Sequence, residues 1–162
     1  MNKNYNTDYK NFSDIYDDLL NSELIDNEQK KTNLQNLFKG VVDYAFEIPT
    51  AIQSKSIKPI FEGKDLIAQS QSGTGKTGAF TIGYLTKIDT TKNYPQCIIL
   101  ATTRELASQI ENVSKNISKY MNLKTCLTIG GETINVEQNI KNSKNSHVII
   151  GTPGRIKNII NE

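Results

Sequence analysis

The sequence has few of the residues that build disulfide frameworks and metal centres. It contains two cysteines, Cys97 and Cys126, and one histidine, His147, among 162 residues. Each cysteine lies in an apolar run typical of a strand, so we interpret both as buried free thiols, which favours a reducing compartment. A single histidine cannot form a metal site, and a structural role at the start of a strand is the simpler interpretation of His147.

Long apolar runs and a strong charge imbalance are absent as well. No stretch reaches the length of a transmembrane helix, and the N-terminal sequence MNKNYNTDYK lacks the apolar core of a signal peptide. Lys and Arg number 19 against 17 Asp and Glu, which gives a net charge of +2. We therefore expect a soluble, cytoplasmic chain with no membrane partner, in which any basic surface for nucleic acid is local.

The pattern that remains is typical of an α/β protein. Short apolar runs predict strands at residues 65–69, 96–101, 124–129 and 147–151, each followed by helical periodicity, over 75–88, 103–120, 133–143 and 153–161. Upstream, residues 12–39 predict one or two amphipathic helices, and 49–61 predict another. Continuously apolar strands that alternate with helices indicate a parallel sheet covered on both faces. At the start of the 103–120 helix, we expect a capping box between Thr102 and Glu105.

Residues 68–77, AQSQSGTGKT, stand between a predicted strand and a predicted helix and favour a phosphate-binding loop. Gly73 and Gly75 would allow positive φ and a close approach of backbone N–H groups to phosphate at a helix N-terminus. Lys76 would lie at the β- and γ-phosphates, and Thr77 would offer its hydroxyl to Mg²⁺. The loop departs from the GxxxxGKT pattern at its first position, where Ala68 or Gln69 stands instead of glycine. The alternative interpretation is a glycine-rich turn with a chance lysine.

Five motifs occur in order along the chain: GVVDYAFEIPTAIQ (40–53), AQSQSGTGKT (68–77), TTREL (102–106), the pair Gly130-Gly131, and TPGR (152–155). Together they resemble the N-terminal RecA-like domain of the DEAD-box ATP-dependent RNA helicases, in particular those of the translation-initiation type. The resemblance implies a P-loop NTPase fold, incomplete at the C-terminus, with a partial ATP-binding domain over 33–162. Residues 1–32 would form an N-terminal extension that is partly disordered or helical.

The resemblance implies ATP, Mg²⁺ and RNA as ligands. ATP would be held by Gln53, Ser72, Gly73, Thr74, Gly75, Lys76, Thr77 and Gly78, with Lys76 and Thr77 as catalytic residues and Thr77 as the Mg²⁺ ligand. Gln53 would read the adenine edge, since an amide offers both a donor and an acceptor. Single-stranded or duplex RNA of any sequence would be held through its backbone by Arg104, Gly130, Gly131, Thr152, Gly154 and Arg155. Taken singly, Gln53 could be an exposed helical residue, and the two arginines could belong to surface salt bridges.

The sequence departs from the family pattern in several places. Thr102 replaces a proline, and Ala45 replaces a glycine, which is a mild change if the backbone φ there is negative. The family's aromatic residue near adenine falls at Glu28, so we assign no base-stacking residue; Phe12 and Tyr16 could serve only if the chain has an insertion. We interpret Phe46 as a core residue.

The DEAD sequence itself and the second RecA-like domain are not found among the 162 residues. The resemblance therefore implies a fragment truncated before that motif, with a second chain or domain to complete it. The alternatives are a non-catalytic nucleotide- or RNA-binding fragment, an inert remnant, or an unrelated P-loop NTPase such as a kinase or GTPase. Because the strand before the phosphate loop would lack neighbours, we expect the 162-residue chain alone to be poorly soluble or only partly folded.

Overall fold

The computed structural model describes residues 8–130 and 136–161. The chain divides into two compact units, of which the first comprises Met1–Lys87 and Asn116–Met121, and the second Ile88–Lys115 and Asn122–Glu162. Residues 1–7 of the predicted N-terminal extension lie outside the described residues. No helix in the described ranges is long and apolar enough to cross a membrane.

Four helices build the first unit: α1 (Phe12–Leu20), α2 (Glu28–Asp43), α3 (Ala51–Phe61) and α4 (Lys76–Leu85). Asparagine side chains start the first two, because Asn11 accepts from the Asp14 N–H and Asn27 from the Lys30 N–H, each at 3.0 Å. Segment 12–39 therefore holds two helices, one of the two predicted arrangements. All four helices contribute to the buried core, through Ile15, Leu19, Leu37, Val41, Ile57, Ile82 and Leu85.

The second unit contains a three-stranded parallel sheet. Its elements are β1 (Cys97–Leu100), α5 (Arg104–Ile117, whose last two residues belong to the first unit), β2 (Thr125–Thr128), α6 (Val136–Lys144), β3 (Val148–Gly151) and α7 (Pro153–Ile160). The strand order is β1-β3-β2, and Leu100 and Thr128 both align with Gly151 at the carboxyl ends of the strands. The central strand is buried throughout, as a continuously apolar sequence predicts. The predicted α/β class and three of the four predicted strands are confirmed.

The two cysteines are free thiols on strands that β3 separates. Cys126 is buried and Cys97 is half-buried. Burial raises the pKa of Cys97 to about 11, so its thiol is protonated and unreactive near neutral pH.

The strand predicted over residues 65–69 is wrong. These residues have no strand partner among the described residues, and all three described strands lie in the second unit. An extended segment becomes a strand only when a neighbour accepts and donates its backbone hydrogen bonds. The segment instead leaves Leu66 partly exposed and Ile67 fully exposed.

The capping box that we predict between Thr102 and Glu105, at the start of α5, is also wrong. The helix begins at Arg104, so Thr103 precedes it, and the Thr103 hydroxyl accepts from the Leu106 N–H at 3.1 Å. Thr102 lies one residue too early for this geometry. Glu105 interacts with the Thr103 side chain, and its pKa is lowered, first by a backbone hydrogen bond and then by Thr103.

Candidate functional site

Two glycines in the loop before α4 have the positive φ that we predict for a phosphate-binding loop. Gly73 has φ 78° and Gly75, the N-cap of α4, has φ 89°, as predicted. A Cβ at Gly73 would meet nothing within 4 Å, so the space over that residue is open. A Cβ at Gly75 would lie 2.8 Å from Gln53 Nε2, so this position needs glycine for its packing as well.

The Lys76 side chain folds back over this loop. Its ammonium donates to the carbonyl of Ser70 at 2.7 Å and to that of Gln71 at 2.5 Å. The Thr74 hydroxyl donates to the Gln71 carbonyl at 2.8 Å and lies 2.6 Å from the Ser70 hydroxyl. The Lys76 ammonium is therefore held on two backbone carbonyls of the loop. The sequence motif could not predict these partners, because every residue has a backbone carbonyl.

The first turn of α4 offers the groups that suit phosphate and a divalent cation. Lys76, Thr77 and Gly78 are its first three residues, so their N–H groups lie at the positive end of the helix. Ser72 and Gly73 are exposed, while Thr74 and Thr77 are half-buried. No group of three His, Cys, Asp or Glu side chains in the described ranges could hold a metal, and the Thr77 hydroxyl stays the predicted Mg²⁺ ligand.

Gln53 joins α3 to the same loop. Its Oε1 accepts from the Thr50 N–H at 2.8 Å, and its Nε2 donates to the Gly75 carbonyl at 3.4 Å. The side chain is only 2% exposed, so it is not an ordinary exposed helical glutamine. The structure thus brings Gln53, Gly75 and Gly78 together, while the reading of adenine by Gln53 stays a prediction.

In the second unit, the residues proposed to hold RNA follow the carboxyl ends of the three strands. Arg104 starts α5 after β1, Gly130 follows β2, and Thr152 stands between β3 and the first residue of α7. A Cβ at Gly130 would lie 3.3 Å from Arg104 Nη2, so the guanidinium packs on that glycine turn. Carboxyl ends of aligned parallel strands meet at one edge of a sheet, so these loops share that edge.

The start of α7 completes this edge. Thr152 donates its N–H to the Thr128 carbonyl at 3.2 Å, and its side chain makes no capping bond. A Cβ at Gly154 would meet nothing within 4 Å, and Arg155 Nε is buried without a hydrogen-bond partner among the described residues. Within the same ranges neither arginine forms a salt bridge, and their contact with RNA stays a prediction. The predicted Gly131 lies outside the described residues.

A glycine-rich loop that carries a lysine at a helix N-terminus, followed in sequence by a parallel α/β unit, defines a protein of the P-loop type. The family model described as DEAD/DEAH box helicase matches residues 50–162. The chain belongs to this family.

Curated relatives agree with this assignment. The chain is 48% identical over 124 residues to the ATP-dependent RNA helicase FAL1 of Meyerozyma guilliermondii, a match that covers 76% of this chain and 31% of the relative. It is also 48% identical over 127 residues to FAL1 of Eremothecium gossypii, covering 78% and 31%. The chain therefore spans about a third of the length of these relatives.

Solved structures show the same RecA-like fold. A DEAD box protein from the hyperthermophile Methanococcus jannaschii aligns with a TM-score of 0.72 at 34% identity, covering 78% of this chain and 34% of that one. Dbp5 of S. cerevisiae bound to RNA and ADP BeF3 aligns with a TM-score of 0.73 at 30% identity, covering 90% and 34%.

Proposed function

We propose that this chain is the ATP- and RNA-binding portion of an ATP-dependent RNA helicase that works in the cytoplasm. The observation that carries the proposal is the loop of residues 70–75, where two glycines with positive φ precede Lys76 at the start of α4. Membership of the DEAD/DEAH box family and the names of the curated relatives support it.

In this proposal the triphosphate of ATP lies along the loop and the first turn of α4. Phosphate oxygens replace the Ser70 and Gln71 carbonyls as partners of the Lys76 ammonium, because a negatively charged oxygen attracts the ammonium more strongly than a neutral carbonyl does. The Thr77 hydroxyl would hold Mg²⁺, which would neutralise phosphate charge when bound. Gln53 reads adenine by exchanging its bond to the Gly75 carbonyl, the longer of its two, for one to the base.

RNA binds at the carboxyl edge of the sheet in the second unit. The helix N-termini of α5 and α7 present N–H groups to phosphates, and Arg104 and Arg155 add positive charge and a planar fork. Contacts to the backbone carry little sequence information, so RNA of any sequence is the expected ligand. We further propose that another domain or a second chain supplies the carboxylates and arginines that ATP hydrolysis requires.

Binding of a fluorescent ATP analogue tests the nucleotide site. Lys76→Ala should weaken binding about tenfold or more, since a hydrogen bond to a charged group contributes about 1.5–3 kcal/mol. Lys87→Ala is the matched control, because Lys87 also donates to a backbone carbonyl, that of Phe61, outside the loop. Equal affinities of the Lys76→Ala and native chains would refute the proposed site.

RNA binding is tested separately with single-stranded RNA. Arg104→Ala and Arg155→Ala should each weaken binding and reduce its salt dependence. Lys124→Ala removes the same charge just before β2, at the amino edge of the sheet, and should have a smaller effect. RNA-stimulated ATP hydrolysis that depends on Lys76 would distinguish an enzyme from a non-catalytic binding fragment.

A further inference from the structure

The connecting loop, residues 44–49, holds a backbone conformation that its sequence disfavours. After α2 ends, the Ala45 N–H donates to the Val42 carbonyl at 2.9 Å and the Phe46 N–H to the Val41 carbonyl at 3.3 Å. This paired closure of a helix end needs a left-handed residue, and Ala45 has φ 62°. Glycine is the usual residue there because a Cβ destabilises the left-handed conformation. Contacts with surrounding residues must therefore offset the cost of this conformation.

Helix α1 supplies those contacts. The Phe12 ring stacks on Phe46, with centroids 5.6 Å apart and planes inclined by 15°, and the Phe12 N–H donates to the Glu47 carbonyl at 3.3 Å. Phe12 is 2% exposed, so its ring is fixed in the core rather than free to stack on a base. Phe12 thus holds the connecting loop through both its ring and its backbone.

Helix α1 is itself tied to α3, the helix that carries Gln53. Lys58 Nζ contacts both carboxylate oxygens of Asp18, at 2.6 and 2.7 Å, and the Tyr9 hydroxyl donates to the same carboxylate at 2.5 Å. Burial alone would raise the pKa of Asp18, but Lys58 and Tyr9 outweigh it, and the net pKa is lowered. The carboxylate is therefore charged at neutral pH and keeps α1 against α3.

On its other side, Phe46 lies against the phosphate loop. A Cβ added at Gly78, two residues after Lys76, would lie 2.8 Å from Phe46 Cε2 and 2.9 Å from Gln53 Nε2. Gly78 is buried in the first turn of α4. Movement of the Phe46 ring would therefore change the space beside Gly78 and Gln53, where the loop meets α3.

We propose that Phe12 is a positioning residue for the nucleotide site, which acts through Phe46 on the first turn of α4. The proposal rests on the proposed function, since it assumes that this loop binds nucleotide. The family model begins at residue 50 and covers neither Phe12 nor Phe46. In this proposal helix α1 contributes to nucleotide binding, although it lies outside the region that the family model matches.

Binding of ADP with a fluorophore on its ribose tests the proposal in the full chain. Phe12→Ala should raise Kd on the order of tenfold, the effect typical of residues that orient a binding group without touching the ligand. Leu19→Ala is the matched control: Leu19 lies on α1, two turns further on, and is equally buried. It should lower stability similarly and leave Kd unchanged at temperatures where both variants are folded.

Phe12→Leu provides a second variant if the alanine variant does not fold. It keeps most of the buried volume and removes the ring stack, so it should still raise Kd. A double-mutant cycle of Phe12 and Phe46 measures whether the two residues act on Kd together, which a general loss of stability would not show. If Phe12 acts through Phe46, adding Phe12→Ala to Phe46→Ala should raise Kd no further than Phe46→Ala alone.

Several results would overturn the proposal, and they can be told apart. If Phe12→Leu binds ADP like the native chain, or Leu19→Ala loses as much affinity as Phe12→Ala, Phe12 is only a structural residue. If the native chain and Lys76→Ala bind ADP equally, the proposed function itself fails, and the role of Phe12 fails with it. Full additivity in the double-mutant cycle would also contradict the route through Phe46.

Discussion

His147 shows how the surroundings of one residue create a pH dependence. Its side chain is fully buried just before β3, and its Nδ1 accepts from the Lys124 N–H at 3.0 Å. A nitrogen that accepts carries no proton, so the ring is neutral and its proton is on Nε2. That nitrogen has no hydrogen-bond partner in the described ranges. Burial and then the charge of Lys124 lower the pKa of His147, and Asp89 opposes them only in part.

We predict that mild acid destabilises the fold through this ring. An unfolded histidine has a pKa of about 6.5, and the folded pKa of His147 is lower. The stability that the neutral ring contributes is therefore complete above about pH 6.5 and is lost as the pH falls through the folded pKa. The free energy of unfolding should fall by up to about 1.4 kcal/mol per pH unit in that window. Since His147 is the only histidine, proton NMR reads its pKa directly.

His147→Asn serves as the control for this pH dependence. Asparagine retains a side-chain acceptor but does not titrate, so the slope of stability between mild acid and neutral pH should be smaller in the variant. A folded pKa at or above the usual value, or the same slope in both chains, would contradict the argument.

Single residues also show how far sequence could predict the candidate site. The positive φ of Gly73 and Gly75 was predictable, because the phosphate loop requires it and only glycine tolerates it well. The choice of Thr103 over Thr102 as the cap of α5 was not predictable. Either hydroxyl can cap a helix, and the residue at which the first turn starts decides between them. The positive φ of Ala45 was not predictable either, because alanine itself favours negative φ.

The C-terminal end of α2 carries a prediction at the scale of one element. Its closing pair of hydrogen bonds places Ala45 in the left-handed region, where a Cβ costs about 1 kcal/mol or more. Replacing the family's glycine by Ala45 would be a mild change only if φ were negative. Because φ is positive, the change is not mild. Ala45→Gly should raise the free energy of unfolding by about 0.5–1 kcal/mol, after part of the gain is lost to the flexibility of glycine in the unfolded chain.

Urea unfolding of Ala45→Gly beside Ala51→Gly checks this prediction. Ala51 is exposed at the first position of α3, where the backbone is helical, so glycine should lower stability there. Opposite signs for the same chemical change isolate the effect of φ. A loss of stability in both variants would show that Ala45 is not strained.

The strands show why elements were easier to predict than their pairing. Residues 97–100, 125–128 and 148–151 form strands within a residue or two of the predicted ranges, because a short apolar run bounded by polar turns is a local signal. Residues 65–69 carry the same signal and form none. A strand needs a neighbour, and the presence of a neighbour is a property of the fold that no short stretch of sequence contains.

At the scale of the whole molecule, each unit exposes apolar surface beside unpaired backbone. In the first unit, Ile67 is fully exposed and Leu66 is 43% exposed, in an extended segment without a strand partner in the described ranges. In the second, β1 lies at the edge of the described sheet, and Ile98 and Leu100 are 50% and 60% exposed. Apolar side chains next to free N–H and C=O groups are the combination that pairs with other chains.

We therefore predict that the 162-residue chain, prepared alone, self-associates through its extended segment. Ile67→Lys should lower the apparent mass measured by analytical ultracentrifugation at high protein concentration, because a charge on an exposed strand-like segment opposes edge-to-edge pairing. Ile160→Lys is the control, since Ile160 is also an exposed isoleucine but lies on α7, whose backbone is hydrogen-bonded within the helix. Both substitutions add the same charge, so a general gain in solubility would affect them equally. A native chain that stays monomeric and melts sharply, with well-dispersed amide signals, would show that these free edges are satisfied in solution.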